Sequence, residues 1–336
     1  MLYFFLLYNL LILYLALHFK KKKYFSNYSG DSHQIFSNKK DIPLVGGIFL
    51  IMPILSISYH IYLYSLMIIS ILILGLLSDQ KILSSAKKRF LFQIILILFS
   101  VVCLDLKILS SRIIYFDMLL EISAFNIFFT TFCLLILING SNFIDGLNAL
   151  LLIYMTTVIY ILLDLNLKLL VEINETYILF LFMTLTLVIM LNITNTLMLG
   201  DAGAYVLSFF VGYLIILCHN SNPNISPYFF ITLLWYPCFE NLFSIIRKLV
   251  NNFTPLAPDN SHLHQLIYQK FNKTLYKNKL AANNASSILI SLINVIILLF
   301  AARYPYETIY QIKIILISIF LYTLTFFVLN SKKSAK

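Results

Sequence analysis

Eleven apolar runs, each long enough to cross the core of a bilayer, leave this 336-residue chain few ways to fold. They fall at 2–18, 43–59, 61–77, 90–106, 116–138, 147–165, 175–191, 203–219, 227–246, 284–302 and 311–329. Inside lipid every backbone N–H and C=O must be satisfied within the chain, so runs of this kind form helices. Composition agrees: 60% of residues are apolar, 11% are charged and the mean hydropathy is +0.89, whereas soluble domains carry about 25% charged residues. The reading is an all-α polytopic integral membrane protein with about eleven transmembrane helices. It excludes a disordered chain, collagen, a coiled coil and a disulfide-stapled secreted scaffold. Cys103, Cys133, Cys218 and Cys238 lie inside apolar runs with no metal-ligand spacing, and read as small buried hydrophobes.

Charge sets the orientation. The first run has no basic residue before it and Lys20 to Lys23 after it, the reverse of a cleavable signal, and reads as a retained anchor with its N-terminus outside. Alternation then places 19 of the 24 Lys and Arg on the cytoplasmic side and Lys107, Arg112, Lys168, Arg303 and Lys313 on the other. Cytoplasmic loops retain positive charge, so the C-terminus is expected inside. The net charge of +10 is thereby accounted for by topology and an anionic inner leaflet, leaving no case for nucleic-acid binding. The expectation is one domain, 1–336, with its polar loops on the cytoplasmic face at about 19–42, 78–89, 139–146, 192–202 and 247–283. The opposite loops, 107–115, 166–174, 220–226 and 303–310, are short.

Ionisable groups are scarce within the runs. Glu240 lies in the ninth, and Asp117 and Glu121 enter the fifth; intramembrane charges are expensive and usually functional. Polar information gathers instead at run ends on one face. It comprises Pro43 to Gly47, Gly75 to Asp79 with Lys87, Lys88, Arg89 and Gln93, Asn139 to Gly146, Gly200 to Gly203, and Pro258 to His264. Asp79, Asp145 and Asp201 each sit where a loop meets a helix. One or two carboxylates with phosphate oxygens suit Mg²⁺, and glycines and helix N-termini suit a close-approaching anion. His262 and His264, with Arg247 and Lys248, could donate to phosphate. Each feature also has a plain structural reading. Asp79 and Asp201 could be N-caps, Asn139–Gly146 a turn, the histidines residues of a solvated loop, and the Gly-Gly pair a helix contact. Five clusters on one face favour a site for a phosphate-bearing substrate. A carrier for lipid- or nucleotide-linked sugar would need polar groups reachable from both faces.

In their order these motifs resemble the polyprenyl-phosphate N-acetylhexosaminyl-1-phosphate transferases, from Pro43 to His264. Asn139-Gly140-Ser141-Asn142-Phe143-Ile144-Asp145-Gly146-Leu147-Asn148 is similar to the family's N-x-x-N-x-x-D-G-x-(D/N) segment. Leu199-Gly200-Asp201-Ala202-Gly203-Ala204 is similar to its (M/L)-G-D-x-G-(S/A) motif. Ser261-His262-Leu263-His264 resembles the histidine motif of the branch that uses UDP-N-acetylglucosamine or a related 2-acetamido sugar. The longer histidine run of the phospho-N-acetylmuramoyl-pentapeptide transferases is absent. The resemblance implies transfer of a sugar 1-phosphate from a UDP-N-acetylhexosamine to undecaprenyl phosphate, with release of UMP. It places such an enzyme in the bacterial inner membrane with its site facing the cytoplasm, and allows a homodimer. It also implies Mg²⁺, with Mn²⁺ as a substitute, held by Asp201 with Asn142. Asp79, Asp145 and Asp201 would be the catalytic carboxylates. Asn142 and Asp145 would sit at the nucleotide or metal, His262 and His264 at the donor's pyrophosphate, and Lys88 or Arg89 at the acceptor phosphate, with Asn139, Asn148 and Arg247 also binding substrate.

Three departures from the family pattern stand out. Ser78 stands where an Asp usually precedes Asp79; the basic and histidine residues usual before the Gly-Gly are replaced, with Leu44 after Pro43 and Ser37 or Asn38 near the expected His; and Gln265 follows His264 where another His is common. The Asp replaced by Ser78 has been assigned as the base that deprotonates the acceptor. A phosphate monoester with a second pKa near 6 is already mostly ionised at neutral pH, so Ser78 is compatible with activity.

Overall fold

The structure is a computed structural model describing residues 1–26, 41–57, 62–165, 167, 173–252, 254 and 261–334. Ser37, Asn38 and Pro258–Asn260 lie outside the described residues. Fourteen helices are described: α1 (Leu2–Lys22), α2 (Gly46–Ile57), α3 (Tyr62–Asp79), α4 (Ala86–Cys103), α5 (Ile114–Leu120), α6 (Ser123–Ile144), α7 (Leu150–Asp164), α8 (Glu175–Ile193), α9 (Gly200–Ser221), α10 (Pro227–Leu233), α11 (Trp235–Val250), α12 (Leu263–Thr274), α13 (Lys279–Arg303) and α14 (Thr308–Ser334). Among the described residues there is no strand, only an isolated bridge between Leu44 and Met198. The protein is an all-α, multi-pass membrane protein.

Every apolar run coincides with a helix or a broken helix pair, but the runs differ in their capacity to span. By length and hydropathy α1, α3, α6, α8, α9, α13 and α14 qualify, and α10 with α11 adds an eighth as a pair bent by 75°. The remaining runs fall short for visible reasons. Helices α2 and α7 have 12 and 15 residues, below the roughly 20 that a bilayer core needs. The first turn of α4 carries Lys87, Lys88 and Arg89.

Three boundaries differ from the sequence expectation. The fifth run is broken: α5 ends at Leu120 and the long helix starts at Ser123, so Asp117 and Glu121 precede it. Asp117 instead organises the preceding loop, accepting from Ser111 N and Oγ at 2.6 Å each. The segment 139–146 is helical through Ile144, and within it Gly140 lets the backbone of α6 press against the Pro237 carbonyl of α11. The segment 247–283 holds the last turn of α11 and the whole of α12.

Helix α9 is the axis of the fold. It is apolar on all sides and buried almost throughout, as a helix surrounded by others must be. It packs against α2, α3, α6, α7 and α10. Its first turn is approached unusually closely: a Cβ on Gly75 would strike Ala202, and one on Gly47 would lie 2.5 Å from Gly203 N. The Gly-Gly pair is thus a helix contact, and Gly46 N donates to Met198 O at 3.0 Å. At 1.5 Å per residue, the other end of α9 lies about 33 Å away. There Arg112 donates to Tyr306 O, Thr308 Oγ1, Pro223 O and Asn224 O at 2.8–3.4 Å, clasping the loops 107–115, 220–226 and 303–310 together. These three short loops share one end of the molecule, as the alternation required.

Candidate active site

At the opposite end of α9 the scattered motifs meet. Asp201 is the second residue of α9, and its side chain is 22% exposed. Its Oδ1 accepts from Asn142 Nδ2 at 3.0 Å. Its Oδ2 accepts from Ser78 Oγ, from Arg89 Nη1 at 3.2 Å and from Tyr205 Oη at 3.4 Å. Arg89 Nη1 also donates to Ser78 Oγ at 2.9 Å. The end of α3, the start of α4, the end of α6 and the start of α9 thereby converge on one carboxylate. Arg89 is the cation of the 87–89 cluster that reaches it, while Lys88 stays exposed.

Asp79 does cap a helix, but not its own. It ends α3, and its Oδ1 and Oδ2 accept from the backbone N–H groups of Asp201 and Ala202 at 2.8 and 3.1 Å, in the first turn of α9. Those groups lack intrahelical partners, and a carboxylate there also meets the positive end of the helix dipole. Gly200 makes room for it: its φ is +75° and a Cβ would lie 2.7 Å from Asp79 Oδ2. Asp145, the C-cap of α6, lies within electrostatic reach of Asp79 together with Asp201. Three carboxylates therefore share one small region.

The i, i+3, i+6 spacing of Asn139, Asn142 and Asp145 puts them along one side of α6. Their fates differ. Asn142 reaches Asp201, whereas Asn139 Nδ2 turns back to Leu135 O at 2.9 Å. Asn148 is buried in a separate polar knot joining α7, α8 and α13. Its Nδ2 donates to Asn195 Oδ1 at 3.0 Å and Asn284 Oδ1 at 2.7 Å, and its N–H to Asn283 Oδ1 at 2.8 Å.

The histidines are not in a solvated loop: His262 and His264 are 4% and 0% exposed. His262 is the N-cap of α12, and Gln265 Oε1 accepts its backbone N–H at 3.4 Å, so Gln265 serves as a capping residue. The two imidazole rings lie 5.6 Å apart and nearly parallel. The end of α6 joins them to the carboxylates. Phe143 packs on His262 at 4.9 Å, and a Cβ on Gly146 would lie 2.7 Å from His264 Nε2. Arg247 donates to Ser261 O and stacks over Phe326 at 5.1 Å and Phe243 at 5.9 Å, steadying the segment that leads into the histidines.

Among the described residues no three His, Cys, Asp or Glu side chains form a metal cage. One or two carboxylates beside an amide oxygen are donors of the kind that suits Mg²⁺ when substrate phosphates complete the coordination.

The chain carries a glycosyl transferase family 4 region, residues 61–219. Family 4 comprises polyprenyl-phosphate sugar-1-phosphate transferases acting within a membrane. The family 4 match takes in Ser78, Asp79, Arg89, Asn142, Asp145 and Asp201, and ends before Glu240, Arg247 and the histidines. No curated protein is similar enough to be matched to the chain.

Two contacts of Asp201 were not anticipated from sequence. Ser78, read there as a lost carboxylate, is a direct partner of Asp201, and Tyr205 lies one helical turn further on. The i+4 spacing of Tyr205 from Asp201 was an available signal.

Proposed function

We propose that this protein transfers an N-acetylhexosamine 1-phosphate from a UDP-sugar, UDP-N-acetylglucosamine or a related 2-acetamido sugar, to undecaprenyl phosphate. The product begins a lipid-linked cell-surface glycan on the cytoplasmic face of a bacterial inner membrane. The observation that carries the reading is the double engagement of α6. Asn142 holds Asp201, while Phe143 and Gly146 lie against His262 and His264. One helix end thus sets the carboxylate cluster and the histidine cluster side by side, as a site for two phosphate-bearing substrates requires.

In the reaction an oxygen of the acceptor phosphate bonds to the β-phosphorus of the donor. The bond from that phosphorus to the bridging oxygen breaks, and UMP departs with the electron pair. Such a transfer needs alignment and charge neutralisation more than covalent help. The free guanidinium donors of Arg89 receive the acceptor phosphate at the head of α4. His262 and His264 receive the donor pyrophosphate. Asp201 with Asn142 would hold Mg²⁺, or Mn²⁺ in its place, and Asp145 would lie beside it. The ion, when bound, neutralises phosphate oxygens as charge shifts. Asp79 fixes the backbone of Asp201 through the N–H bonds it accepts.

Purified protein given undecaprenyl phosphate, Mg²⁺ and a panel of UDP-N-acetylhexosamines should release UMP with at least one donor. Preferential use of UDP-N-acetylmuramoyl-pentapeptide would transfer it to the peptidoglycan branch of the same family. Absence of UMP with every donor, together with solute movement in proteoliposomes, would make it a carrier.

A further inference from the structure

Glu240 is the one buried carboxylate among the described residues that the reaction scheme leaves unused. It sits in α11, 1% exposed, on the buried face of an amphipathic helix. Its Oε1 lies 2.9 Å from His262 Nδ1 and 3.4 Å from Leu263 N, so a single oxygen meets both a histidine ring and the first N–H of α12. A buried ion pair is a poor source of stability. Desolvation offsets most of the attraction, and an apolar pair of similar volume is often as stable or more so. A requirement for orientation explains the arrangement better.

We infer that Glu240 is a positioning residue for His262: the carboxylate takes the Nδ1–H, fixes the ring tautomer and leaves Nε2 to face the donor. The inference rests on the reading of His262 as a ligand of the donor's phosphates. An ionised carboxylate is an acceptor only, so Nδ1 must be the donor nitrogen; the hydrogen bond at one ring nitrogen decides the state of the other. Two further contacts fix the ring plane: Phe143 at 4.9 Å on one side and His264 at 5.6 Å. Glu240 comes from α11, the second helix of the bent pair, and His262 from the start of α12, so their bond also ties the histidine segment to the membrane-embedded body. The pair lies outside the region matched to family 4.

The ring state is measured first, on resting wild-type protein in nanodiscs with ¹⁵N-labelled histidine, the His262 signals being assigned by their loss in His262→Ala. Protonation at Nδ1 in a single, stable tautomer is expected. A ring protonated at Nε2 with Nδ1 bare would overturn the assignment without any reference to activity. Kinetics follow. Glu240→Leu should lower kcat/KM for the UDP-sugar by about 10- to 100-fold and leave the KM for undecaprenyl phosphate unchanged. Glu240→Gln, whose amide oxygen can still accept Nδ1–H, should recover most of that loss. The double variant Glu240→Leu/His262→Ala should be no slower than His262→Ala alone, because the carboxylate acts through the ring. Losses that multiply in the double variant, or that fall equally on both substrates, would overturn the proposal. If Glu240→Leu does not fold, the wild-type tautomer and the Glu240→Gln rescue decide the question. Wild-type protein that releases no UMP would remove the functional reading, while the ring measurement would still test the Glu240–His262 bond.

Discussion

The carboxylate of Asp79 accepts the backbone N–H of Asp201 at 2.8 Å across 122 residues of sequence. The acid that ends one helix therefore sets the position of the acid that begins another. Removing the cap should loosen the start of α9. Asp79→Ala is expected to lower stability by about 1–2 kcal/mol, seen as a drop of a few degrees in the detergent melting temperature, and to reduce turnover strongly. Asp79→Asn keeps one acceptor oxygen and should lose less stability. An Asp79→Ala protein that melts like wild type would show that the cap contributes nothing.

Asp201→Asn keeps the size of the side chain and removes its charge. Its amide nitrogen would replace one of the two acceptor oxygens and face a donor, Asn142 Nδ2 or Arg89 Nη1, so the convergence of helix ends is disturbed as well. UMP release should fall by at least about 100-fold, the scale on which loss of a key charge-stabilising group acts. Retention of more than half the activity would place the reaction centre elsewhere.

Ser78→Asp tests the departure from the family pattern. Ser78 donates to Asp201 and accepts from Arg89, so an Asp at this position would set two like charges together. Like carboxylates at close range destabilise one another, and a divalent cation relieves them. The variant should melt below wild type in EDTA and recover on addition of Mg²⁺. Its rate should gain little, and between pH 6 and 7.5 both proteins should follow ionisation of the acceptor phosphate, whose second pKa is near 6. A gain of about tenfold or more confined to pH below 6.5 would show that wild type lacks a base it needs.

Arg89 and Lys88 are neighbours in sequence with different surroundings. Arg89 is half-buried against Asp201 and Lys88 is exposed. Arg89→Gln should raise the KM for undecaprenyl phosphate and cut kcat by about tenfold or more, as expected for loss of a charge-assisted contact. Lys88→Gln should change either constant less than about threefold, as for a solvated charge. The reverse ranking would reassign the acceptor site.

Gly146→Ala would push a methyl group toward His264 Nε2, 2.7 Å from the position its Cβ would occupy. The KM for the donor should rise about tenfold or more while that for the acceptor holds, the pattern of a misplaced substrate contact. An unchanged donor KM would detach His264 from the donor.

What the sequence made legible follows from local spacing. Asn142 and Asp145 are three residues apart, which is one face of a helix whether or not the segment looks like a turn. Its Gly and Asn content suggested a loop, but Gly140 serves packing against Pro237, a contact across about a hundred residues that no local window holds. The histidines were visible as a pair, while the carboxylate that fixes one of them lies 22 residues upstream in an apolar run. Asn148 matched a motif position yet belongs to a knot with Asn283 and Asn284, more than 130 residues away. Charge alternation foresaw the grouping of the short loops that Arg112 clasps. It could not foresee that two of the apolar runs form helices of only 12 and 15 residues.

The burial of α9 also orders the making of the molecule. Of the helices it packs against, α2, α3, α6 and α7 leave the ribosome before it and only α10 follows, so α9 arrives at a groove already present in the membrane. When synthesis reaches Ser221, the chain already holds the carboxylates Asp79, Asp145 and Asp201 and their partners Ser78, Arg89, Asn142 and Tyr205. Glu240 and the two histidines do not yet exist. Chains begin to fold from their N-terminal portions as they emerge, so the carboxylate half of the site is built first. The histidine half is added afterwards.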